Sequence, residues 1–442
     1  MFKSSSKKVS LLIPLIIAVT IGLAGGFVIS KNQHQIPLLK NFVQSANQVE
    51  KNKYLAFLHE FQSVVQENYW NKIDEAGFVN LHVKAIEKLV AMPLGDQIQT
   101  YDNLDQKILE TLDQYPDETT KKEFITQLSD LVLANLEPFG RSRLYSKQLE
   151  QELAEKVNNI DPDADHYGSL GVKEDAAPKE IEQAYEQQKQ ALEGDDSPEA
   201  QKKLAQVEMA HQTLSDENNR TRYDQAGVNP TMEWGLISPQ IFYLKIKQFS
   251  PNTVQELLEV TQKVDEGSKL NTLFLDLRGN IGGAIDYLPY FLGPFIGNNQ
   301  YAYQFIQQGE ITDFKTKTGW LPTMNRYKKM VIFIDENVQS SGEVMASVLK
   351  KYNIGTLIGT TTMGWGTIER VFPLKHQLNE TEEYSVFLVH HLTLRADGNS
   401  IQGNGVEPHI NINHPDWEQE LADYYADSAI ISAIEAQFTS LK

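Results

Sequence analysis

Cysteine is absent from the 442-residue chain. Disulfides, thiolate metal sites and a cysteine nucleophile are excluded with it. Histidine is sparse: the 10 that occur never fall at HxH or HxxxH spacing, so no metal site is indicated and neither metal nor cofactor is expected. His390 and His391 are adjacent, but neighbouring side chains in a strand point to opposite faces, so this pair is not expected to serve one ion. Positive charge is also short. Lys+Arg 40 against Asp+Glu 59 gives a formal net charge of -19. Nonspecific nucleic-acid binding needs a basic face, so no nucleic-acid partner is expected.

What is present begins with a run from Val9 to Ser30, 22 residues without a charged side chain, behind Lys3, Lys7 and Lys8. That length spans a bilayer as a helix. The lysines precede the span, which predicts a single-pass anchor with the N-terminus inside and the bulk of the chain periplasmic or otherwise extracytoplasmic. No A-x-A cleavage site follows, so an uncleaved anchor is preferred to a cleaved signal peptide. The expected division is 9–30 anchor or signal segment, 31–160 N-terminal helical region, 161–230 helical module, 231–412 α/β core and 413–442 C-terminal helix. In the helical region Tyr54, Phe57, Leu58, Phe61 and Val65 recur at spacings of three and four and mark one apolar face. The C-terminal stretch from about Pro415 to Leu441 reads as one helix carrying Trp417, Leu421, Tyr424, Ile430 and Ile434.

Four blocks in the core bear on chemistry: LFLDLRGNIGG (Leu273 to Gly283), IDENVQSSGEV (Ile334 to Val344), IGTTTMGWGT (Ile358 to Thr367) and NSIQGNGVEP (Asn399 to Pro408). The first is an apolar strand followed by glycines, which let backbone N–H groups turn toward a ligand without a Cβ in the way. Asp276 and Arg278 within it read as structural. The second places Ser340 and Ser341 at a strand-to-helix junction, near the positive end of a helix dipole. A serine there is either a nucleophile or a helix N-cap, with Glu343 three residues on completing a capping box.

Together the blocks resemble the core of the C-terminal processing (tail-specific) serine peptidases, family S41. FQSVVQENYWNKIDEAGF and LEPFGRSRLYSKQLEQEL resemble the segments that open and close that family's helical entry region. The resemblance implies a ClpP/crotonase-like α/β core, with Ser340 at the nucleophile position. It gives the oxyanion-binding backbone to Gly282, Gly283 and Ser341. It also puts Trp365, 25 residues after Ser340, where the family keeps the lysine that activates its serine. An indole N–H only donates and cannot take a proton from Ser340. Lys350 and Lys351 lie roughly 15 Å along the following helix, too far to substitute. Glu369 is expected near a polar position that supports the dyad in relatives. A Ser-His arrangement with His390 or His391 is chemically reasonable but lacks a motif. Two readings therefore stand: a serine endopeptidase with an altered base, and an inactive pseudopeptidase or adaptor that binds polypeptide in its cleft.

Where the family usually carries a PDZ domain, DHYGSLGV (Asp165 to Val172) precedes helical runs from Pro178 to Leu192 and Pro198 to Leu214, ending in LSDENNRTRYDQAG. Ile181, Ala184 and Tyr185 would face Leu204, Val207, Ala210 and Leu214, with Ser215 and Asp216 offering a cap. This order and wording resemble a J-domain; a generic helical hairpin is the plainer alternative. The intervening loop, Leu192-Glu193-Gly194-Asp195-Asp196, lacks the His-Pro-Asp tripeptide by which J-domains stimulate Hsp70. The chain's one such tripeptide, His414-Pro415-Asp416, lies far away. Hsp70 is not expected as a partner.

Overall fold

The computed structural model describes residues 52–95, 98–265, 269–324 and 326–439. The anchor run at 9–30 lies outside them. Among the described residues no helix is long and apolar enough to cross a membrane.

Four helices come first: α1 (Lys53–Asn68), α2 (Glu75–Val90), α3 (Tyr101–Leu112) and α4 (Glu118–Ala134). Asn52, Asp74, Thr100 and Asp117 accept N–H groups of the respective first turns, which otherwise lack partners. The expected apolar face of α1 is buried throughout. It packs with Phe78, Ile108 and Leu128, and with Val386 and Leu388 of a long strand that returns from the far end of the chain. Strand β1 (Arg143–Ser146) and helix α5 (Lys147–Val157) follow.

The next segment is all helix: α6 (His166–Leu170), α7 (Pro178–Leu192), α8 (Pro198–Leu214) and α9 (Glu217–Ala226). Its small core joins Tyr167, Leu170, Ile181, Val207, Ala210 and Leu214, with Ala184 and Tyr185 packed against it. Leu204 is only partly buried and stands outside this cluster. Asp216 caps α9 by accepting from Asn218 and Asn219. His414–Asp416 stand exposed, ahead of the penultimate helix.

The rest alternates strands and helices: β2 (Met232–Ser238), β3 (Ile241–Ile246), α10 (Thr253–Asp265), β4 (Thr272–Asp276), α11 (Leu288–Ile296), β5 (Tyr301–Gln307), β6 (Glu310–Lys315), β7 (Lys329–Ile334), α12 (Ser341–Lys351), β8 (Thr356–Gly359), β9 (Thr367–Pro373), β10 (Tyr384–Leu394), β11 (Ile410–Asn411), α13 (Trp417–Tyr424) and α14 (Ser428–Thr439). One sheet runs β11-β8-β7-β4-β3-β2. Its pairings are parallel except β2 with β3. Such a sheet must be covered on both faces. One face packs Leu275, Ile332 and Ile334 against Leu257, Phe291 and Met345. The other packs Phe274, Val331 and Phe333 against Leu421, Ile430, Ile434 and Phe438. The second sheet is antiparallel: β10 pairs with β9, β1 and β5, and β5 pairs with β6. The architecture is α/β, with a helical N-terminal region and an all-α segment, as expected.

The C-terminal stretch departs from expectation. It is two helices broken after Tyr424, because Asp427 restarts the chain by accepting from Ala429 through its side chain and from Ile430 through its carbonyl. Within the first of them Leu421 is buried, Tyr424 is 58% exposed, and Tyr425, the residue at the break, is buried.

Candidate active site

The parallel sheet brings the carboxyl ends of β4 and β7 side by side, the position where open α/β sheets form ligand crevices. Beyond β4, Asp276 and Arg278 form an ion pair, joined by the Tyr243 hydroxyl and the Gln437 carbonyl, and serve structure as read. The buried Asn280 then ties the loop down. Its Nδ2 donates to Ile246 O at 2.8 Å, its Oδ1 accepts from Gly282 N–H at 2.9 Å, and its carbonyl accepts from Gln339 N–H at 2.8 Å.

Gly282 and Gly283 have φ of +85° and +126°. A Cβ on Gly282 would lie 2.7 Å from Ser340 Cβ, and one on Gly283 would lie 2.0 Å from Phe249 O. Glycine is required at both for steric and conformational reasons. The two differ as donors. Gly282 N–H is already taken by Asn280, whereas Gly283 N–H has no hydrogen-bond partner among the described residues. Of the expected glycine donors, the geometry leaves Gly283 open.

After β7 the chain turns at Ser340 with φ 50° and ψ -120°, a strained conformation for a residue with a side chain, and enters α12. The adjacent serines separate here. Ser341 is buried and donates its hydroxyl to Gly283 O at 3.0 Å. Ser340 is partly exposed. No side-chain hydrogen bond caps α12 from it, and its hydroxyl has no hydrogen-bond partner among the described residues. The cap reading is half right: Glu343 reaches back to Ser340 N–H, but Ser340 Oγ caps nothing. Ser341 N–H is also open.

Glu343 fixes the corner. Its Oε2 accepts from Ser340 N–H at 3.0 Å and Trp365 N–H at 2.7 Å; its Oε1 accepts from the Thr362 hydroxyl at 2.6 Å and Gly364 N–H at 2.7 Å. Burial pushes its carboxyl up, and these four donors oppose the shift. Ser340 N–H also donates to Trp365 O at 3.1 Å. Residue 365 is thus held against the serine by its main chain, and its side chain is an indole.

The Arg141 guanidinium, from the turn before β1, lies over the face of that indole. Burial pulls it down to about 10, against the opposing influence of Glu369 and Glu343. Glu369 follows on β9 and accepts from the Thr367 hydroxyl at 2.6 Å. Burial pushes its carboxyl up, opposed chiefly by Thr367 and then by Arg141. Arg141 is a residue that sequence reading missed. It lies some 200 positions before Ser340 and carries no local motif.

The other candidates are occupied elsewhere. Lys350 Nζ donates to Glu407 O at 2.6 Å, and Lys351 Nζ sits 3.4 Å from the Tyr301 ring centroid. His390 Nδ1 lies 2.6 Å from Asn68 O. His391 stacks near Phe305, and burial lowers it to about 3. Neither histidine hydrogen-bonds Ser340. One expectation about the pair is corrected. A register shift between Val389 and His391 makes a bulge in β10, and the two rings come to 4.2 Å between centroids instead of facing apart. Among the described residues no group of three potential ligands could hold a metal ion.

A serine at a strained strand-to-helix turn, flanked by open N–H groups and a glycine pair, is the arrangement used for acyl transfer. Residues 240–412 match peptidase family S41. Residues 165–224 match the DnaJ domain, in agreement with the J-like reading of the all-α segment. The S41-like part is 26% identical over 175 residues to the carboxy-terminal processing protease CtpB of Bacillus subtilis, covering 40% of this chain and 34% of that protein. It is 26% identical over 183 residues to the carboxy-terminal-processing protease of Bartonella bacilliformis, covering 40% of each. The chain therefore spans between a third and two fifths of the length of these curated relatives. Similar solved structures include a photosystem II D1 C-terminal processing protease (TM-score 0.46, 14% identity, 82% of this chain and 93% of that one). Another is a lipoprotein from Streptococcus agalactiae (TM-score 0.39, 12% identity, 80% and 97%).

Proposed function

We propose that this protein is an S41-fold polypeptide-binding protein, anchored in a membrane by residues 9–30 with its bulk extracytoplasmic, in which the family's Ser-Lys chemistry is not carried out. One observation carries the reading: Ser340 has a preorganised corner around it and no base on its hydroxyl, because an indole stands at the position of the lysine. A serine hydroxyl without a base is a poor nucleophile near neutral pH, whereas the open N–H groups of Gly283 and Ser341 still favour a bound chain. The division at 160, 230 and 412 belongs to the same proposal. The J-like module, lacking His-Pro-Asp in its loop, acts as a scaffold or contact surface and not as a stimulator of Hsp70. The charge-free run behind three lysines supports the anchor and the topology.

A second reading, cleavage by Ser340 with another base, has Glu369 in its favour, a carboxyl on β9 beside Arg141 and four residues after Trp365, which burial pushes up. One experiment separates the two. The full chain is incubated with a fluorescently labelled unfolded protein, beside Ser340→Ala, Glu369→Gln and Trp365→Lys. Binding without cleavage is expected for the unaltered chain and for Ser340→Ala. Trp365→Lys is expected to produce cleavage that a second change at Ser340 removes. Cleavage by the unaltered chain that Ser340→Ala abolishes would overturn the non-catalytic reading, and its loss in Glu369→Gln would name the base. Absence of both binding and cleavage would dispose of either reading.

A further inference from the structure

Among the strands that leave one side of a sheet open, β2 differs from the rest. β1 and β11 are four and two residues long. β6 carries Glu310, Asp313 and Lys315, and β9 carries Glu369 and Arg370. Shortness and charge are the usual protection of an open strand. β2 has seven residues, and Glu233 is its only charged one. It exposes Trp234, Leu236 and Ile237 at 42%, 58% and 38%. Its register shift lies near its end, between Leu236 and Ser238, so Met232 to Leu236 pair regularly with β3. The ladder decides which main-chain groups are free. Just before β2, Thr231 O accepts from Lys247 N–H at 2.8 Å. Bonded and non-bonded positions alternate along an antiparallel pair. Glu233 and Gly235 therefore bond β3, while Trp234 and Leu236 turn their N–H and carbonyl groups away from it. Among the described residues no other segment pairs with that side. Where β2 begins, a groove of about 360 Å³ opens between the strand and the all-α segment. Its walls include Glu233, Tyr185 of α7, and Ala205, Glu208, Met209 and Gln212 of α8. Two carboxylates line it and no lysine or arginine does, although Lys247 approaches Glu233 from behind at 3.6 Å.

We propose that the open side of β2 is a second docking site for an extended polypeptide, which joins the sheet as a further strand and sets a basic residue against Glu208 and Glu233. The inference rests on the polypeptide-binding reading above, but it places this contact at the edge of the sheet, two strands away from β4 and the loop that follows it. The main-chain groups of Trp234 and Leu236 supply the pairing, and their side chains, which share one face, select apolar residues at alternate positions of the ligand. The two carboxylates of the groove select a cation beside them. A second copy of this chain is the poorer occupant, because each copy carries a formal net charge of -19.

The test is fluorescence anisotropy on the full chain with a labelled peptide of alternating valine and threonine that carries a lysine at each end. Two further forms are compared with it: one with glutamate in place of the lysines, and one methylated at its main-chain nitrogens. The lysine form is expected to bind, the glutamate form about fivefold more weakly, and the methylated form at least about tenfold more weakly, since strand pairing is lost. Leu236→Pro removes an outward N–H that β3 does not use, a place where an edge strand tolerates proline, and is expected to weaken the lysine form about tenfold. Glu208→Lys is expected to reverse the preference between the lysine and glutamate forms. The methylated peptide requires no change in the protein, so that arm stands even if Leu236→Pro fails to fold. Binding that survives both methylation and Leu236→Pro would place the peptide elsewhere and overturn the edge site, leaving polypeptide binding at the Ser340 corner standing. No binding of the lysine form would also overturn it, while the unfolded-protein experiment above judges the corner separately. A dimer in sedimentation that Leu236→Pro dissociates, without peptide binding, would give the edge to a second copy and overturn the proposal.

Discussion

At the scale of residues, Ser340 and Ser341 are neighbours with opposite fates. One hydroxyl is buried and bonded to Gly283 O, and the other is partly exposed and free of partners. The sequence made both candidates for a cap. The difference follows from backbone geometry, because a turn with positive φ at Ser340 directs one side chain outward and the next one in. Glu343 was legible as the second half of a capping box, but its four donors were not, since Thr362, Gly364 and Trp365 come from a loop after β8. Arg141 was not legible at all. The glycine pair yields a direct prediction. Gly283→Ala would force a Cβ to within 2.0 Å of Phe249 O at a φ of +126°. Strain of this kind together with the required backbone shift costs on the order of 3 kcal/mol. The urea midpoint should fall accordingly, with peptide binding lost as well; a midpoint unchanged from the unaltered chain would refute the packing account.

At the scale of elements, the periodic patterns were read well and the interruptions were not. The apolar face of α1 needed only spacing. The bulge in β10 and the break between α13 and α14 depend on tertiary pairing and on one Asp side chain, to which spacing is blind. Helix α2 also carries a pH dependence. His82 is fully buried against Phe61 and Phe78, with Nδ1 2.9 Å from Phe78 O and Nε2 unpartnered. Burial lowers it from 6.5 to about 4. The folded chain keeps this ring neutral while the unfolded chain protonates near 6.5, so stability is full above that pH and falls as the pH drops toward 4. The loss accumulates to about 3 kcal/mol at pH 4. Urea midpoints at pH 7.5, 6 and 5 should decline, and His82→Leu should flatten the decline. An unaltered slope in that variant would show that His82 is not its source. His391, lowered to about 3, acts in the same direction.

At the scale of the whole molecule, the order of parts was legible and the contacts between them were not. The all-α segment is joined to the core by Arg222 with Glu259, Lys263 with Asp216, and Lys247 with Gln212. His166 bonds Asn229 at 2.6 Å where the chain returns to the core. None of these pairs is encoded by a local pattern. The anchor belongs to this scale too. The full chain should remain with the membrane fraction after alkaline carbonate washing, and a chain beginning after Ser30 should be released. Release of the full chain would remove the anchor, and with it the argument for an extracytoplasmic bulk.

The main-chain bonds of Trp365 have one more consequence. Its N–H is given to Glu343 and its carbonyl receives Ser340 N–H, so neither depends on what the residue carries beyond Cα. The position behaves as a socket, and the serine, the turn and the open donors keep their places whichever side chain is plugged into it. On the proposed function, one replacement at this position is expected to separate a corner that cuts a bound chain from one that only holds it.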